Sequence, residues 1–226
     1  MAKQNGIKAT KNVTTQATAK KGLFITFEGV EGAGKTTNIV YIAEKIKQAG
    51  QQILLTREPG GTVVGEAIRE ILISKDLPEM HPKSELLLMF AARAEHLKRK
   101  IIPALEQGKW VLCDRFTDAT YAYQGAGRGL SRKDISILEN LVQGSLRPDY
   151  TFLFDLEAEI GLSRAQSRGE ADRFEQQHID FFNKVRAEYL KMAEANQERY
   201  RIVNAQYDLE TVQIQINKLL EDVLKQ

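Results

Sequence analysis

Apolar residues along this chain follow two different periods. Leu23–Phe27, Ile53–Leu55, Trp110–Cys113 and Tyr150–Phe154 are short runs rich in aromatic and β-branched residues, with no polar alternation. Runs of that kind predict parallel strands buried on both faces. A fifth strand is predicted at Arg201–Val203. Between the runs the period lengthens to that of a helix. Ile39, Ile42, Ala43 and Ile46 share one face before a stop at Gly50. Further helices are expected near 64–74, 82–107, 117–124, 132–145, 157–168 and 175–196. A closing helix carries Val212, Ile216, Leu219, Leu220 and Val223 at helical spacing. Strands separated by helices predict right-handed βαβ crossovers, and so an α/β fold: five parallel strands with helices on both faces, a three-layer sandwich. In such folds ligands sit at the carboxyl ends of the strands.

Composition narrows the class. At 226 residues the chain is long enough for one well-buried core, here residues 22–226 with a small lid near 157–175. No apolar run is long enough to span a membrane. The single cysteine, Cys113, excludes an internal disulfide framework and suits the reducing cytoplasm. The net charge of +2 hides an asymmetry, because residues 1–21 hold five lysines and no acid. The remainder carries 27 basic against 30 acidic residues. Bulk charge therefore offers no nucleic-acid surface, and any phosphate chemistry must be local. The tail itself lacks both hydrophobic period and arginine, and reads as a disordered basic extension.

Local phosphate chemistry is written after the first strand. Gly29-Val30-Glu31-Gly32-Ala33-Gly34-Lys35-Thr36, followed by Thr37, matches G-x-x-x-x-G-K-[ST] between a strand and a helix. Glycines let backbone N–H groups turn inward around a phosphate, and the helix adds its positive end. Lys35 is placed to neutralise phosphoryl oxygens of ATP, and the Thr36 hydroxyl to ligate Mg²⁺. The predicted sandwich is thereby of the P-loop NTPase type. No N-K-x-D element follows, which argues against a GTPase.

Arginines supply a second positive group. Arg57 closes the second strand, ahead of Glu58, Pro59, Gly60 and Gly61. Arg69 and Arg93 lie on the next two helices, and Arg115 follows Asp114 directly after the third strand. Guanidinium forks at strand ends suit a second, acceptor phosphate; pairing with Glu58 or Asp114 is the alternative. A third group, Arg164, Arg168 and Arg173, surrounds a helix break at Gly169. It predicts a lid that closes over ATP, or else a charged surface helix.

In combination these segments resemble the thymidylate kinases, in their bacterial form. The resemblance rests on Gly29–Thr37, Arg57–Thr62, Phe90–Arg93, Asp114-Arg115-Phe116, Ala122–Gly129, Arg147-Pro148-Asp149 and Arg164–Glu175. It implies transfer of the γ-phosphoryl group of ATP to dTMP with Mg²⁺, usually by a homodimer. It also implies that Glu31 contacts the acceptor sugar, and that Gly32 marks a subgroup whose catalytic arginine comes from the lid. Arg69, Arg93 and Arg115 would bind the acceptor or its phosphate, with Arg57 beside them, while Thr120 and Gln124 face the base. Tyr123 would crowd out a ribose 2′-hydroxyl. Many relatives place a phenylalanine four residues before the helix arginine. Here Met89 holds that place and Phe90 follows, so either covers the base, or both are core. Asp114 would organise Mg²⁺ or its waters, or orient Arg115. A deoxynucleoside kinase and a regulatory nucleotide-binding protein are the competing readings.

Overall fold

The computed structural model describes residues 21–166, 173–174 and 177–225. Among them, β1 (Phe24–Glu28), β2 (Ile53–Arg57), β3 (Trp110–Asp114), β4 (Tyr150–Asp155) and β5 (Tyr200–Asn204) form one sheet in the order β2-β3-β1-β4-β5. All its pairings are parallel. The chain fills one side of β1, then crosses to the other, so the strand order reverses around β1. That reversal opens a crevice at the carboxyl ends of the strands. Glu28, Arg57, Asp114 and Asp155 are the last residues of four of them.

Side chains alternate across the sheet as a pleat requires. Ile25, Phe27, Trp110 and Leu112 pack against α1 (Lys35–Gln48), α8 (Ile179–Ala195) and α9 (Leu209–Leu224). Phe24, Val111 and Cys113 face the opposite layer with Leu97, Ile101, Leu105 and Phe116. Edge strand β2 is correspondingly half-exposed. Ile39, Ile42, Ala43 and Ile46 bury one face of α1, and Val212, Ile216, Leu220 and Val223 that of α9.

The helix expected over 82–107 is interrupted. It runs as α3 (Pro82–His96), a π-helical turn over Leu97–Ile101, and α4 (Ile102–Glu106). Pro103 has no N–H to return to the Arg99 carbonyl, and the irregular turn falls at that position. The helix after β3 is likewise short, α5 (Thr117–Thr120), and continues as a π-helical turn through Gly127. The remaining helices are α2 (Val63–Ile73), α6 (Arg132–Gln143) and α7 (Ala158–Gln166). Helix α8 starts at Ile179 rather than near 175, behind an N-cap at His178. No helix among the described residues is long and apolar enough to cross a membrane.

Candidate active site

The loop from Gly29 to Gly34 turns on left-handed glycines, with φ of 137° at Gly29, 72° at Gly32 and 78° at Gly34. These are conformations a side chain resists. Space forbids side chains as well. A Cβ on Gly29 would run into the Phe154 carbonyl oxygen, and one on Gly32 into that of Gly161 on α7. The contact is reciprocal, because a Cβ on Gly161 would strike the Glu31 carbonyl oxygen. Lys35 opens α1 and is buried, its Nζ donating to the carbonyls of Gly29 (3.1 Å) and Val30 (2.9 Å). Burial and the nearby Arg115 charge lower its pKa, against the pull of Glu31 and Asp114.

Arg115 crosses from the end of β3 to this loop. Its Nη2 donates to Glu31 Oε1 at 2.6 Å, and its Nη1 to Gly29 O at 3.0 Å. Its guanidinium lies 4.7 Å from the centroid of the Tyr123 ring. Burial works against both charges of the pair. Arg115 with Lys35 nevertheless pulls the Glu31 carboxyl below its usual range, and Glu31 with its neighbours pushes Arg115 well up. Both groups stay ionised at neutral pH.

A second framework forms behind Glu58, which precedes Pro59 in a cis peptide bond. Glu58 Oε2 accepts from Arg93 Nε at 2.7 Å, and Oε1 lies 3.0 Å from His96 Nδ1. His96 Nε2 in turn meets Thr56 Oγ1 at 2.6 Å. Arg93 donates from Nη2 to Thr120 Oγ1 (3.0 Å), between the rings of Phe90 and Phe116. Its Nη1 is buried without a protein partner. Arg69 donates to Pro59 O (3.0 Å), and Arg57 pairs with Glu66 (2.8 Å). Gln124 donates from Nε2 to Glu85 Oε1 at 2.8 Å.

The two frameworks share one cavity of about 260 Å³. Glu31–Thr36, Arg57, Glu58, Pro59, Arg69, Met89, Arg93, Asp114, Arg115, Thr120, Tyr123 and Gln124 all line it. The four arginines read from the sequence thus converge within reach of the glycine loop. Gly29, Val30 and Thr37 stand outside the lining. So does Phe90, which is buried with Leu86 and Ile135, while Met89 reaches the cavity. Asp114 Oδ1 is buried without a protein partner. Two of the lid arginines, Arg164 and Arg173, also stand outside the lining. Arg164 donates to the carbonyls of Ala205 (2.9 Å) and Gln206 (3.2 Å). Arg173 donates to Leu72 O (2.7 Å) and Glu85 Oε2 (2.7 Å). Arg168 lies outside the described residues.

Sequence reasoning missed several participants. Phe174 and Phe116 line the cavity. Tyr189 is buried and places its hydroxyl 3.3 Å from Arg115 Nη1 and 2.7 Å from Glu28 Oε2. Glu28 is fully buried, and its Oε1 accepts from the Phe116 N–H (2.8 Å). An acidic residue ending an apolar strand, one position before the first loop glycine, was the signal available.

A glycine loop built for one phosphate, facing guanidinium groups suited to another, defines a phosphotransferase of the nucleoside monophosphate kinase class. The thymidylate kinase family model matches residues 27–216. Among similar chains, the thymidylate kinase of Pseudomonas savastanoi pv. phaseolicola is 57% identical over 204 residues, covering 90% of this chain and 97% of that one. That of Pseudomonas fluorescens strain Pf-5 is 55% identical over the same shares. A crystal structure of thymidylate kinase from Ehrlichia chaffeensis superposes with a TM-score of 0.72 at 32% identity, covering 90% of this chain and 98% of that one. The chain belongs to the thymidylate kinase family.

Proposed function

We propose that the chain transfers the γ-phosphoryl group of ATP to dTMP, giving dTDP and ADP on the way to dTTP. The observation that carries this reading is the convergence of Arg57, Arg69, Arg93 and Arg115 on the cavity that Glu31–Thr36 also line. A phosphate oxygen of dTMP attacks the γ-phosphorus in line, and the bond to the β–γ bridging oxygen breaks. Such a transition state spreads charge over its oxygens, so positioning and positive charge do the catalysis. In this reading the loop amides and Lys35 hold the phosphates of ATP. Arg115, fixed by Glu31 and Tyr189, holds the dTMP phosphate with Arg57 or Arg69. Met89 covers the thymine face, Thr120 and Gln124 line its edge, and the Arg93 Nη1 donor supplies a partner for a base carbonyl. Tyr123 stands where a ribose 2′-hydroxyl would intrude. The segment near 157–175, with Arg164, Arg168 and Arg173, is assigned as the lid.

The chain's own residues fit Mg²⁺. Among the described residues no cluster of three acidic, histidine or cysteine ligands exists, which suits an ion held mainly by phosphate oxygens and one or two protein groups. The unpartnered, buried Asp114 Oδ1 and the Thr36 hydroxyl are the groups that would hold it or its waters. When bound, the ion would neutralise phosphate oxygens.

We assign a homodimer as well. Val63, Leu87, Ile137 and Leu141 are exposed on α2, α3 and α6, which pack side by side. Covering them is the role given to a second copy. We assign the chain to the cytoplasm, a reading supported by its single cysteine, which suits a reducing compartment.

A substrate panel with ATP and Mg²⁺ tests the reaction. Turnover is expected with dTMP and little with thymidine; preference for thymidine would make the chain a deoxynucleoside kinase. ATP binding without ADP release would make it a regulatory protein.

A further inference from the structure

We infer that Glu85 determines which base the acceptor pocket reads, by fixing the orientation of the Gln124 amide. The inference deepens the dTMP reading above and rests on it.

An amide side chain presents two donors at one end and an acceptor at the other, and a half-turn exchanges them. Gln124 lines the acceptor cavity and is 1% exposed. Which end it shows to a base is therefore a specificity question, and the answer lies one residue further out. Glu85, on α3, is 0% exposed. Its Oε1 meets Gln124 Nε2 at 2.8 Å. Its Oε2 receives Arg173 Nη2 at 2.7 Å and stands 3.5 Å from Arg128 Nη2. As a carboxylate beside two guanidinium groups, Glu85 offers acceptors only. Gln124 must turn its NH₂ toward Glu85, and its carbonyl oxygen is the end left for a ligand. An acceptor at that place matches the N3–H donor of thymine. The N3 of cytosine is itself an acceptor and would oppose it.

The surroundings also say what an amide at position 85 would do. Arg173 and Arg128 both require an acceptor where Oε2 stands. In Glu85→Gln the new side chain must give its carbonyl oxygen to them, which puts its NH₂ against Gln124. Two NH₂ groups cannot pair, so Gln124 turns over and shows donors to the base. A residue that never touches the nucleotide thus sets the pattern read from it, and it is a positioning residue rather than a catalytic one.

The test measures kcat/KM for dTMP and dCMP in the full-length wild type, Glu85→Gln, Gln124→Ala and the double variant. In Glu85→Gln the preference for dTMP over dCMP is expected to fall by ~10-fold or more, while KM for ATP holds within about twofold. The double variant is expected to discriminate no better and no worse than Gln124→Ala alone, because Glu85 acts through that amide. Unchanged preference in Glu85→Gln, or losses that add in the double variant, overturns the inference. Should Glu85→Gln fail to fold, the wild type with N3-methylated dTMP decides. A loss of ~10²-fold in kcat/KM is expected there, and equal use of both substrates overturns it. A wild type that does not phosphorylate dTMP at all overturns the proposed function instead, so the two failures are told apart.

Discussion

Glu31 and Arg115 meet at 2.6 Å and tie the phosphate loop to the end of β3. Arg115 holds this position with φ at 66°, a left-handed conformation that costs a non-glycine residue on the order of 1–3 kcal/mol. It persists because its surroundings over-determine it. Its N–H donates to Phe27 O at 3.0 Å, and its guanidinium reaches Gly29 O, Glu31 and the Tyr189 hydroxyl. One strained residue is thereby anchored to β1, the loop and α8 together. A substrate phosphate would meet a cation whose direction is already set, which is the preorganisation that phosphoryl transfer needs.

Lys35 is the corresponding cation of the loop itself. Replacing Lys35 with Ala is expected to lower kcat by ~10²-fold or more, the scale of one lost transition-state contact. Steady-state kinetics with ATP and dTMP check it. Retention of full kcat would refute the role given to Lys35.

Gly161 offers a test of how the loop is positioned from outside. It sits on α7, and a Cβ added there would lie 2.4 Å from the Glu31 carbonyl oxygen, so Gly161→Ala must push loop and helix apart. Overpacking of that kind costs roughly 1–3 kcal/mol of stability. The larger effect is expected in turnover, because a displacement of about 1 Å in a reacting group can cost ~10²-fold. A kcat at least ~10-fold below wild type, in a variant that still melts cooperatively, is the predicted result. Wild-type kinetics in that variant would mean that α7 and the loop move independently.

How far the sequence foretold this site depends on how local each feature is. The loop was legible because glycine spacing, a preceding apolar run and a following helical period are local. Arg57 and Arg115 were legible because strand ends in a parallel sheet share one edge. Whether Met89 or Phe90 faces the cavity was not, since both lie on α3 and the answer depends on how α3 rotates against α6, where Phe90 packs on Ile135. The π-helical turns were invisible for a similar reason: a helical period survives one inserted residue. Arg173 points to Glu85 and Leu72 through contacts 88 and 101 residues distant along the chain, which no local pattern encodes. The Tyr189 ring packs in the apolar core with Phe182 and Val185 of α8, and only its hydroxyl belongs to the site, which an apolar pattern does not reveal.

Glu28 carries a prediction about pH. Burial, reinforced by the nearby Asp118 carboxylate, raises its pKa from 4.5 to about 8, against the opposing pull of Arg115 and the hydrogen bonds from Tyr189 and Phe116. The folded chain therefore keeps a proton on Glu28 that the unfolded chain releases above pH 4.5. Stability from this group is full below the unfolded value and is lost as pH rises toward about 8. The slope is at most about 1.4 kcal/mol per pH unit. In Glu28→Gln the amide mimics the protonated carboxyl: its oxygen accepts from Phe116 and its NH₂ faces Tyr189. That variant is expected to match wild type near pH 5 and to be the more stable of the two near pH 9. Denaturant unfolding across that range reads the difference directly. If wild type and Glu28→Gln lose stability in parallel between pH 5 and 8, Glu28 is already ionised in the folded chain, and Tyr189 then holds a carboxylate beneath Arg115 rather than a neutral acid.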